Sequence, residues 1–254
     1  MAVELHIDTG ALLVLGGVFA GYVNAVAGGG SALTLPLLML FGIDASVANG
    51  TNRVAVGIQA VTASTAFHTQ GVRPWRGAIL VLPWVITGAV VGGIIAIKMS
   101  PRALEVFFGI IFLVLALVIA RGSHWLEPNP DGVNSGPFKG PVSYFLIGLY
   151  GGIFQAGVGI PLLLALIYFD GLDVIHSNAA KALIITVYTA LVLVIFGSAG
   201  QVAWLHGLLV GLGGILGSLV GARAVIQKGA TLVRIVVVAI LLISGLRGLW
   251  DLWT

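Results

Sequence analysis

YVNAVAGGGSALTLPLL, from Tyr22 to Leu38, decides how this chain is read. Three consecutive glycines, Gly28, Gly29 and Gly30, sit in the middle of an apolar run. Glycine weakens a helix, exposes backbone and permits positive φ. Ser31 follows and can cap a new helix. The spacing predicts a helix that breaks inside a bilayer and restarts at Ser31. In hydrocarbon a broken backbone survives only where it is buried in protein or lines a cavity. The break is therefore a candidate substrate site. A second interruption, Gly157-Val158-Gly159-Ile160-Pro161, lies about half a chain later.

Composition supports a membrane setting. Of 254 residues 59% are hydrophobic and 8% charged, and the mean hydropathy is +1.11. Apolar runs near the length of a bilayer span recur along the chain, which predicts an all-α polytopic membrane protein. The net charge of +3 fits basic cytoplasmic loops rather than nucleic-acid binding. The chain has no cysteine, which removes disulfides, thiolate catalysis and cysteine metal sites. The N-terminal segment carries Glu4 and Asp8 and no Lys or Arg, which argues against a cleaved signal peptide.

Working outward, residues 11–41 form one apolar run with the triple-glycine break. As a single helix it would be about 46 Å long, too long for one span and too short for two. Helices are expected at about 45–69, 77–98 and from Ser100-Pro101 to Arg121. Residues 122–140 read as a polar linker rich in Pro, Gly and Asn. Apolar segments follow at about 141–157, 161–169, 174–198, 203–226 and 231–252. The chain thus divides into a first membrane repeat (1–121), the linker, and a second repeat (141–254). A spacing of 129 residues matches Asp44 to Asp173, Asn49 to Asn178, Trp75 to Trp204 and several glycines. Before the break the spacing becomes 131 and matches Gly21 to Gly152, Asn24 to Gln155 and Gly28 to Gly159. Duplicated halves with interrupted first segments are a transporter pattern.

Loop charges choose between two topologies. If each broken run crosses once, giving four spans per half, the basic residues of the loops divide equally between the two sides. If each is a re-entrant hairpin, Arg73, Arg76, Arg121, Lys139, Arg223, Lys228 and Arg234 face Lys98, Arg102 and Arg247. The second division obeys the positive-inside rule. It leaves three full spans per half, inverts the halves and puts both termini outside.

The glycine break, Gly21 to Pro36, the step Gly50-Thr51-Asn52 with Arg53, and the two-half layout together resemble the sulfite exporter TauE/SafE family. The resemblance runs from about Gly16 to Gly248. It implies a membrane transporter for small sulfur-containing anions such as sulfite or organosulfonates. The second half departs from the pattern, with Gly157-Val158-Gly159 for the triple glycine and Asn178-Ala179-Ala180-Lys181 for the Gly-Thr step.

The residues point to an anion independently. Half-helices starting near Ser31 and Pro161 would aim free N–H groups and positive dipole ends into the protein. The glycines equally suit close helix packing. Arg53 falls near mid-membrane in its helix, and Lys181 at nearly the same depth in the other half. Deep charges in membranes are costly and usually functional or paired, and no carboxylate shares their depth. Two readings remain: anion ligands, or cations that snorkel or bond helix carbonyls. Asn24, Gln155, Asn49, Thr51, Asn52 and Asn178 supply neutral donors for a ligand or for helix association. Asp44 and Asp173 read as helix caps. The expected substrate site therefore comprises Asn24, Gly28, Gly29, Gly30, Ser31, Asn49, Thr51, Asn52, Arg53, Gln155, Gly157, Gly159, Pro161, Asn178 and Lys181. No motif indicates an enzyme, a metal, a cofactor or a nucleotide-driven pump. The partners expected are the small anion, the bilayer of the cell's inner membrane and, left open, a second copy of the chain. An anion channel and a subunit of a membrane-embedded enzyme are the alternatives.

Overall fold

The computed structural model describes residues 7–73, 75–104, 106 and 139–250. The linker proper and the course of the helix toward Arg121 lie outside them. The regular elements among the described residues are all helices: α1 (Ile7–Val26), α2 (Ser31–Leu40), α3 (Ala45–Thr69), α4 (Trp75–Ala96), α5 (Lys139–Ile153), α6 (Gly159–Asp170), α7 (Val174–Ser198) and α8 (Trp204–Trp250). Non-helical backbone at Gly229 breaks α8. Among the described residues four segments are long and apolar enough to cross a membrane: Thr9–Val26, Ala78–Ala96, Val174–Ser198 and Trp204–Gly229. The 25-residue α3 is as long as α7 but carries Asn49, Thr51, Asn52, Arg53 and Gln59, all buried. Its polarity is tolerable because its neighbours, not lipid, surround those side chains.

Both breaks form where expected, and each turns the chain back. Leu37 lies against Gly16, and Gly30 against Ala20 and Asn24, so α2 returns along α1. The second pair does the same: Tyr144 of α5 bonds Asp170 at the end of α6, while Val158 lies against Gly151. Gly28 and Gly157 take positive φ, 82° and 72°, which only glycine adopts without strain. Each broken run is thus a helical hairpin with both ends on one face. The second hairpin's return helix starts at Gly159, slightly before the sequence estimate, so Pro161 falls in its first turn, where a missing N–H costs no helical bond.

Missing side chains set the packing of the long helices. A Cβ on Gly213 would lie 1.9 Å from the Val14 carbonyl oxygen, and one on Gly217 1.9 Å from that of Val18. Gly88 and Gly92 press in the same way on the carbonyls of Phe145 and Leu149, at 2.1 and 2.2 Å. Small residues allow such backbone contact in membranes, where packing must replace a hydrophobic drive. These contacts also give direction. Residue numbers rise together along α1 and α8, along α4 and α5, and along α3 and α8, where Gly207 meets Thr51 and Gly211 meets Ile58. Along α3 and α7 they run oppositely: Arg53 lies over Phe196, Gly57 meets Thr189, and Ala63 clusters with Ala182. Helices α1 and α3 therefore point the same way, and α3 and α7 point opposite ways.

The ends are ordered accordingly. Gln201 Nε2 donates to the Ile97 carbonyl at 3.1 Å, which puts the end of α4 and the start of α8 on one face. Phe67, Val72, Ile167, Val174 and Val225 cluster at the other. Asp173 caps α7 as expected, accepting from the N–H groups of Ile175 and His176 at 2.9 and 3.0 Å. Partial burial raises its pKa, but the bonds from His176 and Ile175 outweigh that and hold it below the usual carboxylate range. Asp44 occupies the cap position of α3 without a side-chain bond.

Gly217→Ala is expected to destabilise the protein by about 1–3 kcal/mol, because a methyl there meets backbone that cannot rotate away. Gly140→Ala, with open space around it and no positive φ, should change stability by less than about 0.5 kcal/mol. Thermal melting of the two purified variants, side by side, checks the contrast.

Candidate functional site

Breaking a helix in a membrane exposes its last carbonyls, which carry partial negative charge and have no helical donor. The structure answers this twice, each time with a cation from the opposite half. Arg53 of α3 donates from Nη1 to the Gly151 carbonyl at 3.0 Å and from Nη2 to that of Gly152 at 2.5 Å. Asn49 Nδ2 takes the next carbonyl, Ile153, at 2.7 Å. At the other hairpin Lys181 of α7 donates from Nζ to the carbonyls of Asn24 and Ala25 at 3.2 and 3.4 Å, and to Asn178 Oδ1 at 2.6 Å. Arg53 and Lys181 are 0% and 1% exposed. Of the two readings left open for these cations, bonding to helix carbonyls is the one observed for both.

The two hairpin tips touch. A Cβ on Gly28 would lie 2.3 Å from Gly159 Cα, and one on Gly159 2.4 Å from Gly28 Cα. These glycines serve the contact as well as the turn. The N-terminus of α2 is arranged differently from the expectation: Gly30, not Ser31, holds the cap position. The Gly30 N–H donates to Asn24 Oδ1 at 2.7 Å, so an asparagine on the incoming helix replaces a serine cap.

A cavity lies beside the tips. Its wall combines the polar residues Asn24, Ser31, Gln59, Gln155 and Lys181 with Gly28 and the apolar residues Val56, Ala60, Ala63, Val158, Ala182 and Ile185. The centre of a water-sized sphere has about 20 Å³ to move in, slightly more than one water needs. That space holds a single water-sized guest as it stands. Lys181 is the charged residue on this wall, and no carboxylate joins it.

Five of the residues expected from sequence, Asn24, Gly28, Ser31, Gln155 and Lys181, therefore meet at one cavity. The other ten frame it. Arg53, Asn49 and Asn178 hold helix ends or Lys181. Thr51 Oγ1 accepts from the Ala203 N–H at 2.8 Å, at the start of α8, and Asn52 Oδ1 accepts from Thr34 of α2. Gly29, Gly30, Gly157, Gly159 and Pro161 shape the tips. Gln155 joins cavity to frame, accepting from Arg53 Nη1 at 2.9 Å and donating to Thr189 at 3.2 Å. Sequence reading missed Gln59. A glutamine deep in an otherwise apolar stretch of α3 was the available signal.

Residues 13–248 match the profile of the family described as sulfite exporter TauE/SafE. The chain is 29% identical to a probable membrane transporter protein of Haemophilus influenzae, over 98% of this chain and 97% of that one. It is 27% identical to the probable membrane transporter protein ORF9 of a Sinorhizobium species, over 95% and 92%. It is 24% identical to the probable membrane transporter protein YfcA of Escherichia coli K12, over 94% and 91%. No solved structure matches it. A polytopic helical chain with two broken hairpins and this full-length match is a multi-pass membrane transporter, and it belongs to the sulfite exporter TauE/SafE family.

Proposed function

We propose that the chain is a secondary transporter for small sulfur-containing oxyanions, sulfite or short organosulfonates, bound at the cavity beside the hairpin tips when its walls move apart to admit them. The observation that carries this is the wall itself: the Lys181 charge, amide and hydroxyl groups, and no opposing carboxylate. A cation met by carbonyl dipoles but by no carboxylate keeps its net charge, and in a low-dielectric site that charge favours an anion. The α2 N-terminus beside Ser31 adds a favourable partial charge. The contact between the tips favours a transporter over a channel, since it closes the direct path.

The same reading treats the protein as two inverted repeats. Three glycine pairs 129 residues apart share positive φ: Gly28 and Gly157, Gly42 and Gly171, Gly71 and Gly200. The contact of Gly21 with Gly214 recurs as that of Gly148 with Val85, and Gly217 on Val18 recurs as Gly88 on Phe145. These contacts support a spacing of 127 for the first helices, one helical turn from the sequence match of 131. At that spacing the carbonyls held by Lys181, of residues 24 and 25, correspond to those held by Arg53, of residues 151 and 152. The opposed α3 and α7 support the inversion. Arg73, Arg76, Lys139, Arg223 and Lys228 then lie toward one face and Lys98 and Arg102 toward the other, which makes the first face cytoplasmic. Alternating access by rocking of one repeat on the other follows for such folds.

Purified protein is expected to bind sulfite, thiosulfate or methanesulfonate and no neutral sugar. Lys181→Gln should weaken anion binding about ten- to hundredfold, whereas Lys98→Gln, at a membrane surface, should change it by no more than about twofold. Equal binding by both variants, once folding is verified, would remove Lys181 from the site.

The inversion has its own test in a chain without natural cysteine. In intact cells an impermeant maleimide should label Asp44→Cys from outside and Asp173→Cys only after permeabilisation. These residues begin corresponding helices, so labelling of both from one side would sink the inverted arrangement.

A further inference from the structure

Ser31 reads from sequence as the cap of α2, but the structure gives that task to Asn24, whose Oδ1 accepts from the Gly30 N–H. The serine is thereby released. Among the described residues its hydroxyl has no hydrogen-bond partner, yet it is not sealed inside the protein as Gln59 Nε2 is. Ser31 lines the cavity and is 1% exposed overall, so the space open to the hydroxyl is the cavity. A hydroxyl removed from bulk water without a partner is costly, and its O–H turns freely to meet an acceptor.

The backbone at the same residue is also unpaired. In the first turn of α2 the N–H groups of Ala32, Leu33 and Thr34 bond the carbonyls of Gly29 and Gly30, and Asn24 takes that of Gly30. The Ser31 N–H is left without an acceptor among the described residues, at the positive end of the helix.

The other polar side chains of the wall are held by the protein. Lys181 has three protons and meets three acceptors, Asn24 O, Ala25 O and Asn178 Oδ1. It supplies charge, but its directed bonds are occupied. Gln155 accepts from Arg53 and donates to Thr189. Asn24 Nδ2 donates to Gln59 Oε1. The free Nε2 of Gln59 is buried against Gly214, which lies off the wall.

We infer that Ser31 is a specificity-determining residue of the anion site, its hydroxyl donating to an oxygen of the bound anion. This rests on the cavity being the anion site and adds what selects the anion there. The charge of Lys181 attracts every anion of one charge alike. A hydroxyl donor sorts them by their strength as acceptors, so sulfonate oxygens are favoured over an anion of equal charge that accepts poorly. Because the hydroxyl makes no bond within the protein, the fold does not need it.

The test is titration of the purified full chain with methanesulfonate and with tetrafluoroborate, a tetrahedral anion of the same charge and a poor acceptor. Ser31→Ala should weaken methanesulfonate binding about tenfold or more and change tetrafluoroborate binding by no more than about twofold. Its melting temperature without ligand should equal or exceed the parent's, because alanine favours a helix and no bond within the protein is lost. Lys181→Gln removes charge and should weaken both anions together. A hydroxyl that serves only the fold would give the opposite pattern, a lower melting temperature with the parental ratio of affinities, and that result overturns the inference. Parent-like methanesulfonate affinity in Ser31→Ala also overturns it while leaving the anion site standing. Failure of the parent chain to bind either anion overturns the anion site and the inference with it.

Discussion

A helix that stops inside a membrane must find donors for its last carbonyls, and the rest of this structure depends on how that is done. Water is absent there and each unsatisfied group costs several kcal/mol. Arg53 closes the end of α5, and Lys181 closes the end of α1. Each cation crosses from one half of the chain to the other. The broken helices are consequently stabilised only when the halves are assembled, and the deep charges only when the breaks exist. The bond is reciprocal, because the carbonyl ends carry the partial negative charge that a buried cation otherwise lacks.

The glycine contacts make that reciprocity possible. Arg53 reaches two consecutive carbonyls because α5 is held against α4 at backbone contact, and the tips meet because Gly28 and Gly159 have no side chains. Side chains there would hold the tips apart. The cavity is the space left beside two tips that touch at one point, so its size follows from the packing.

Function and fold share residues in this arrangement. Asn24 belongs to the wall, bonds the hairpin tip and orients Gln59. Lys181 caps α1 and charges the cavity. Under the proposed function a substitution at either would act on stability and on binding together, so changes in affinity gain meaning only beside a measure of folding. Transport by rocking of the repeats would have to preserve the carbonyl caps or exchange them, since baring them in hydrocarbon is prohibitive. The caps are therefore natural boundaries of the rigid bodies, and the touching glycines a natural place for them to separate.

Sequence alone determined the class of the protein, the family, the helix over 45–69 and that over 174–198, both breaks, and Asp173 as a cap. These rest on local causes: apolar length, glycine permissiveness and short-range capping. It also put Asn24, Gly28, Ser31, Gln155 and Lys181 at one site, because polar residues beside a break in an apolar run have few other places to go. Only the tertiary structure decided what the cations touch. Two charges without acids near them are equally consistent with a bound anion and with carbonyl ends, and the carbonyls of residues 151 and 152 are about a hundred positions from Arg53. It alone decided that Gly30 is held by Asn24 instead of a serine cap, and that Gln59 belongs to the cavity. The physical reason is the same each time. Hydrogen bonds between distant segments depend on helix direction and register, and here glycine contacts among the described helices of both halves fix both.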